Sequence, residues 1–110
     1  MISERVPKIL AIDDDPTWLS QIPLIFEDSK YEVDIYATID QGLAAIESQF
    51  YDVVLLDLNF IGDRRTGLDV FRRISALDSE VSVIVISGET EPKKLINIMN
   101  AGITQFIPKP

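Results

Sequence analysis

Three short runs of the chain are apolar throughout: Ile9-Leu10-Ala11-Ile12, Val53-Val54-Leu55-Leu56, and Val81 to Ile86 broken only by Ser82. Runs this short and this rich in β-branched residues predict strands buried on both faces. Tyr31-Glu32-Val33-Asp34-Ile35 instead alternates apolar and polar. That pattern predicts a strand over 31–36 with one wet face, at an edge of the sheet. Gln105-Phe106-Ile107 marks the other edge, over 104–108.

Between these runs the period lengthens to that of a helix. Ile39, Leu43, Ile46 and Phe50 are spaced four, three and four apart, so they share one face of a helix over 39–50. Thr38 with Gln41 reads as a capping box opening that helix. Leu68, Phe71, Ile74 and Leu77 form a second stripe over 67–78, behind Thr66 as its cap. Leu95, Ile98 and Met99 form a third over 91–101, starting near Thr90 and closing at Gly102. The first helix opens at Asp15-Pro16, since proline is tolerated in a first turn. Its stripe is Trp18, Ile22, Ile25 and Phe26. Pro23 removes one backbone hydrogen bond and predicts a kink or an early end.

Strand and helix thus alternate without repeats or linkers. The pattern predicts one α/β domain over 1–110, a doubly wound parallel sheet of five strands with helices on both faces. With 31–36 and 104–108 at the edges the strand order is 2-1-3-4-5, which is flavodoxin-like. That order reverses direction between the first and third strands, and ligands bind outside the carboxyl ends of the strands at such a point.

Charge narrows the function. The formal net charge is −8, which excludes direct nucleic-acid binding through a basic surface. The chain has no cysteine and no histidine. Disulfides, thiolate chemistry and imidazole catalysis are therefore excluded, and so is a phosphohistidine within this chain. Met1-Ile2-Ser3-Glu4-Arg5 lacks the apolar run of a signal peptide. No stretch reaches the roughly 20 apolar residues of a bilayer span. A cytoplasmic protein without membrane contact is expected.

The chemistry gathers at the reversal. Asp13 and Asp14 end the first strand and Asp57 ends the third, so the expected order brings all three carboxylates across one crevice. Like charges this close raise one another's pKa unless a cation intervenes. Hard oxygen ligands favour Mg²⁺ or Ca²⁺, and Mg²⁺ needs only one or two carboxylates, leaving positions for water and phosphate oxygens. Asp15 is read as a helix cap. Ser87 ends the fourth strand, where its hydroxyl either donates to a phosphoryl oxygen or satisfies its own turn. Lys109 ends the fifth, within reach of the same mouth.

These residues sit in four segments: Ile9 through Pro16, Val53 through Asp57, Val83 through Gly88, and Ala101-Gly102 through Lys109-Pro110. In that order and spacing the chain resembles the receiver domain of bacterial two-component response regulators, chemotaxis type, over essentially its whole length. The resemblance implies that Asp57 takes a phosphoryl group from a phosphohistidine on a sensor histidine kinase or histidine phosphotransfer protein. It implies Mg²⁺ on Asp13, Asp14, Asp57 and the backbone carbonyl of Asn59, with Ser87 and Lys109 on the phosphoryl oxygens. Ser87 and Phe106 correspond to the pair that switches on phosphorylation, passing the signal to an output domain or protein. A receiver catalyses only its own phosphorylation and dephosphorylation. The alternative is a pseudo-receiver that binds protein without being phosphorylated. A small-molecule-binding flavodoxin-like domain lacks the glycine loop that would cradle a phosphate.

Two departures stand out. The segment Asn59-Phe60-Ile61-Gly62-Asp63-Arg64-Arg65-Thr66 has no proline, and Gly67 follows Asp57 by ten residues, two more than the family pattern. The longer loop suggests a distinctive partner surface, with Arg64-Arg65 by default a solvated pair. The sequence also stops after the fifth strand, where the family continues into a fifth helix. One sheet face is then left to the first helix alone, which predicts a homodimer or a C-terminal helix supplied by further chain.

Overall fold

The computed structural model describes residues 6–109. Within them the elements run β1 (Lys8–Ile12), α1 (Pro16–Ile25), β2 (Glu32–Tyr36), α2 (Ile39–Ser48), β3 (Val53–Leu56), α3 (Gly67–Leu77), β4 (Ser82–Ser87), α4 (Pro92–Asn100) and β5 (Gln105–Pro108). All strand pairs are parallel and the order is β2-β1-β3-β4-β5. The doubly wound sheet expected from the apolar runs is the one formed.

The helices start where short polar side chains replace missing backbone partners. Asp15 accepts from the N–H groups of Thr17 and Trp18 and caps α1. Thr66 and Asp69 form a full reciprocal capping box on α3. At α2 only half of the expected box exists. Thr38 Oγ1 accepts from Gln41 N–H, but its hydroxyl, not its backbone, bonds the Gln41 side chain. α1 runs two residues beyond the exposed Pro23 before it ends.

Each sheet face collects its own core. Leu10, Ile12, Val54, Leu56, Val83 and Val85 pack beneath α2, α3 and α4, joined by Ile39, Ala45, Val70, Phe71, Ile74 and Ile98. The opposite face holds a smaller cluster in which Ala11 meets Leu19 and Ile22 of α1. Several stripe residues fall elsewhere than their spacing predicts. Phe50 lies beyond the end of α2 and is 52 % exposed, and Met99 of α4 is 59 % exposed. Ile25 faces solvent while Leu19, outside the stripe, is buried. A stripe fixes only rotation about the helix axis; where the sheet beneath stops decides which of its residues are covered.

With α1 alone on its side, Leu24 and Ile25 of α1 and Ile107 of β5 remain exposed. The open patch is smaller than the helix count predicts, because Ile86 is buried and Ile84 half-buried on that face.

Edge strand β2 also departs from a wet-and-dry alternation. Asp34, half-buried beside α2, accepts a 2.6 Å hydrogen bond from the Tyr51 hydroxyl. Tyr51 itself is buried, with Lys8 Nζ 5.7 Å from its ring centre. Burial, then the bond to Asp34, raises the Tyr51 pKa well above the usual phenol range. Because the folded value is raised, this contribution to stability is present below pH ~10 and is lost as pH climbs through the higher folded value. Tyr51→Phe should cost about 1–3 kcal/mol at pH 7 by leaving Asp34 without its donor, read from urea denaturation. Ultraviolet titration of the wild type should show one of the three tyrosines staying neutral well past pH ~10, and that tyrosine should be missing in the variant.

Candidate functional site

Parallel strands deliver their last residues to one edge of the sheet, and the winding reverses there between β1 and β3. Asp13 and Asp14 follow β1, Asp57 follows β3, Ser87 ends β4 and Lys109 follows β5. Backbone bonds carry the ladder past the strand ends and fix these positions. Asp13 N–H donates to Tyr36 O and Asp57 N–H to Ile12 O, each at 3.1 Å, and Lys109 N–H donates to Ser87 O at 2.9 Å.

One carboxylate oxygen each from Asp13, Asp14 and Asp57 lie within 4.8 Å of one another. Each acid also has an oxygen committed to a nearby N–H. Asp13 Oδ1 accepts from Asp15, Asp57 Oδ1 from Leu58 at 2.8 Å, and Asp14 Oδ2 from Ile61 at 2.7 Å. The orientation of all three is therefore set by backbone. Lys109 supplies the positive charge. Its Nζ is 2.8 Å from Asp13 Oδ2, 3.7 Å from Asp57 Oδ2 and 3.9 Å from Asp15 Oδ2. The ring centre of Trp18 is 5.9 Å from the same nitrogen.

Burial pushes the Asp13 carboxyl above its ordinary pKa, outweighing the hydrogen bond from Lys109. Burial works against the Lys109 ammonium too, but the bond to Asp13 and the charges of Asp57, Asp13 and Asp15 more than offset it and raise its pKa. The cluster thus carries surplus negative charge that one ammonium offsets only in part. The donor set fits a hard divalent cation. Adjacent oxygens around an octahedral Mg²⁺ lie roughly 3.0 Å apart and opposed ones roughly 4.2 Å, so the three acids would draw together around the ion.

The remaining candidates stand at the rim. Ser87 is buried, and its Oγ accepts from Glu89 N–H at 3.1 Å, inside its own turn. Asn59 is exposed beside a groove lined by Leu58, Thr66, Gly67, Lys94 and Asn97. Phe106 is half-buried against the larger core, level with Val85. The structure brings Asp13, Asp14, Asp57 and Lys109 together; it does not bring the Ser87 hydroxyl onto Asp57. Sequence reasoning missed the Trp18 contact with Lys109, because the apolar spacing that put Trp18 in the α1 stripe says nothing of what its ring meets.

The long β3–α3 loop is ordered by its own contacts. Asp63 N–H closes a turn on Phe60 O at 3.2 Å, with Gly62 at φ 82°, a conformation that suits glycine. Phe60 is buried while Ile61, at the tip, is 95 % exposed. Arg65 is not a free surface charge: it bonds Asp63 through two nitrogens and Asp40 at 2.8 Å. Its hydrogen bonds hold Asp63 down to about 2. Gly67 closes the loop against the site. A Cβ there would lie 2.5 Å from Leu58 Cα and 2.8 Å from Asp57 O, so only glycine lets α3 start this near the acid.

Comparison with known proteins identifies the family and the fold. Residues 9–110 match the family model for the response regulator receiver domain. The transcriptional regulatory protein DltR of Streptococcus agalactiae is 28 % identical over 103 residues, covering 94 % of this chain and 45 % of DltR. The two-component response regulator ORR3 of Oryza sativa is 29 % identical, covering 99 % of this chain and 84 % of ORR3. The crystal structure of a CheY-like response regulator receiver domain protein from Methanospirillum hungatei superposes with a TM-score of 0.88 at 30 % identity, covering 96 % of this chain and 83 % of that one. The chain spans less than half the length of DltR. The chain belongs to the response regulator receiver domain family, and its fold is that of the CheY-like receivers.

Proposed function

We propose that this receiver is phosphorylated on Asp57 from a phosphohistidine of a sensor histidine kinase or histidine phosphotransfer protein, with Mg²⁺ held by Asp13, Asp14 and Asp57. The observation that carries the reading is the Lys109 ammonium lying 2.8 Å from Asp13 and 3.7 Å from Asp57 at the mouth of a three-carboxylate crevice. A cation on those oxygens is what phosphoryl transfer to a carboxylate needs, because anionic nucleophile and anionic phosphoryl group repel one another.

Asp57, oriented by Leu58 N–H, attacks phosphorus in line. The O–P bond forms as the N–P bond of the phosphohistidine breaks, and the imidazole nitrogen keeps the electron pair and takes up a proton. Mg²⁺, when bound, supplies charge neutralisation at the nucleophile and at the equatorial phosphoryl oxygens. Lys109 swings from Asp13 toward a phosphoryl oxygen. The backbone carbonyl of Asn59 is the further metal ligand implied by the family. Ser87 gives up its place in the Glu89 turn to donate to another phosphoryl oxygen, which frees Phe106 to change rotamer and alter the face of α4 and β5. A phosphoryl group drives that change only through differential contact with the two arrangements.

The output lies in a further domain or partner protein, with no direct nucleic-acid contact by this domain. Among the described residues no helix is long and apolar enough to cross a membrane, and we assign the protein to the cytoplasm. The face around Leu24, Ile25 and Ile107 is covered by a second copy or by a C-terminal helix of further chain. A pseudo-receiver is the second reading. It is favoured by the lengthened loop beside the site.

Intact mass after incubation with phosphoramidate and Mg²⁺ decides between the two. The wild type should gain one phosphoryl group, and Asp57→Asn should gain none; an equal gain in the variant would sink the assignment. Mg²⁺ should also raise the thermal midpoint, since a hundredfold excess over the dissociation constant stabilises the native state by about 2.7 kcal/mol. Asp13→Asn should lose that response. Its metal-free midpoint at pH 7 should not fall, because a raised folded pKa means that ionised Asp13 costs the folded state stability at neutral pH. Light scattering across a concentration series should show dimers if a second copy covers the open face, and a monomer if that role belongs to further chain.

A further inference from the structure

We infer that Trp18 is a positioning residue for Lys109, a second station that keeps the ammonium over the mouth when a metal ion claims the carboxylates. The inference rests on the proposed reading of the site. In the structure the ammonium lies 2.8 Å from Asp13 Oδ2 and 3.7 Å from Asp57 Oδ2, on two of the carboxylates a divalent ion would use. A divalent ion on these carboxylates repels the ammonium and competes for their lone pairs, so metal binding loosens the hold of Asp13 on Lys109. Its other neighbours are the Trp18 ring, 5.9 Å from Nζ to ring centre, and Asp15 Oδ2 at 3.9 Å.

Both neighbours belong to the same device, the capped first turn of α1. Asp15 Oδ1 accepts from the backbone N–H of Trp18, and the half-buried indole packs on the Ala11, Leu19 and Ile22 cluster. The ring is therefore held in place while the lysine, on a flexible four-carbon stem, moves. An ammonium over an indole face is attracted by the ring quadrupole, more so once partly desolvated. Without the ring, the displaced ammonium would keep only the half-exposed Asp15 carboxylate beside it and would be held less firmly over the mouth for each phosphoryl transfer.

Trp18 is the one tryptophan in the chain, so its emission reads the local event. Mg²⁺ alone should change the Trp18 emission of the wild type, and Lys109→Met should lose most of that change while calorimetry still records Mg²⁺ binding. An unchanged amplitude in Lys109→Met, or a wild type that binds Mg²⁺ with no emission change, overturns the inference. With phosphoramidate at saturating Mg²⁺, Trp18→Leu should slow phosphorylation of Asp57 about two- to fivefold, the range expected of one cation–π contact near the surface. Trp18→Phe should restore most of the rate, and equal rates in the Leu and Phe variants overturn the inference. If the wild type takes no phosphoryl group, the Asp57 reading fails, and the emission titration still decides the role of Trp18.

Discussion

Two buried carboxylates and a third beside them, at one edge of a parallel sheet, are costly unless a positive charge stands among them. Lys109 supplies it, and much of the architecture follows from that requirement. Asp13 and Asp57 come from strands that neighbour one another only because the order reverses between β1 and β3. Lys109 arrives from the far edge and reaches them because its backbone is fastened to Ser87 O. Each acid gives one oxygen to a backbone N–H, which fixes its direction and leaves little freedom for the carboxylates to move apart. Residual repulsion is the driving force for a second cation. Truncating Lys109, by contrast, would leave the acids without the cation that stands among them, which is why it is worth more to the site than its single contact suggests.

The same site governs the loop that follows β3. Asp14 belongs to the acid cluster and at the same time holds Ile61 N–H, so loop and crevice share one carboxylate. The loop is long but not loose. A glycine turn forms its tip, Arg65 ties the far side to Asp63 and to the first turn of α2, and Gly67 returns the backbone to Asp57. Length is inexpensive in a loop whose ends are fixed. Ile61 projects from it beside the mouth.

Helix coverage is unequal on the two faces of the sheet, and the consequences differ. Three helices over one face give the larger core, which anchors β1, β3 and β4 and hence the positions of the acids. One helix over the other leaves apolar side chains of α1 and β5 in solvent. Yet the first turn of α1 borders the site itself, through the Asp15 cap and the Trp18 ring. The less covered face thus carries part of the environment of Lys109.

The strands, their order and the acids at their ends were legible in the chain, because an apolar run buried on both sides leaves its mark whatever packs on it. The caps at Asp15 and Thr66 were legible for a local reason: their partners lie two and three residues away. Stripe positions were less secure. Phe50, Met99 and Ile25 have the right spacing and are exposed, since spacing records direction around a helix but not the extent of the layer beneath. The default of two solvated arginines failed at Arg65, whose second partner, Asp40, is 25 residues away. Tyr51 with Asp34, Asp14 with Ile61 and Lys109 with Trp18 are likewise pairs between distant parts of the chain. The sequence by itself determined that strand ends would carry three acids and a lysine to one edge of the sheet. Only the tertiary structure decided which oxygen, hydroxyl or ring each would meet, because those choices depend on distances set by the packing of the whole sheet.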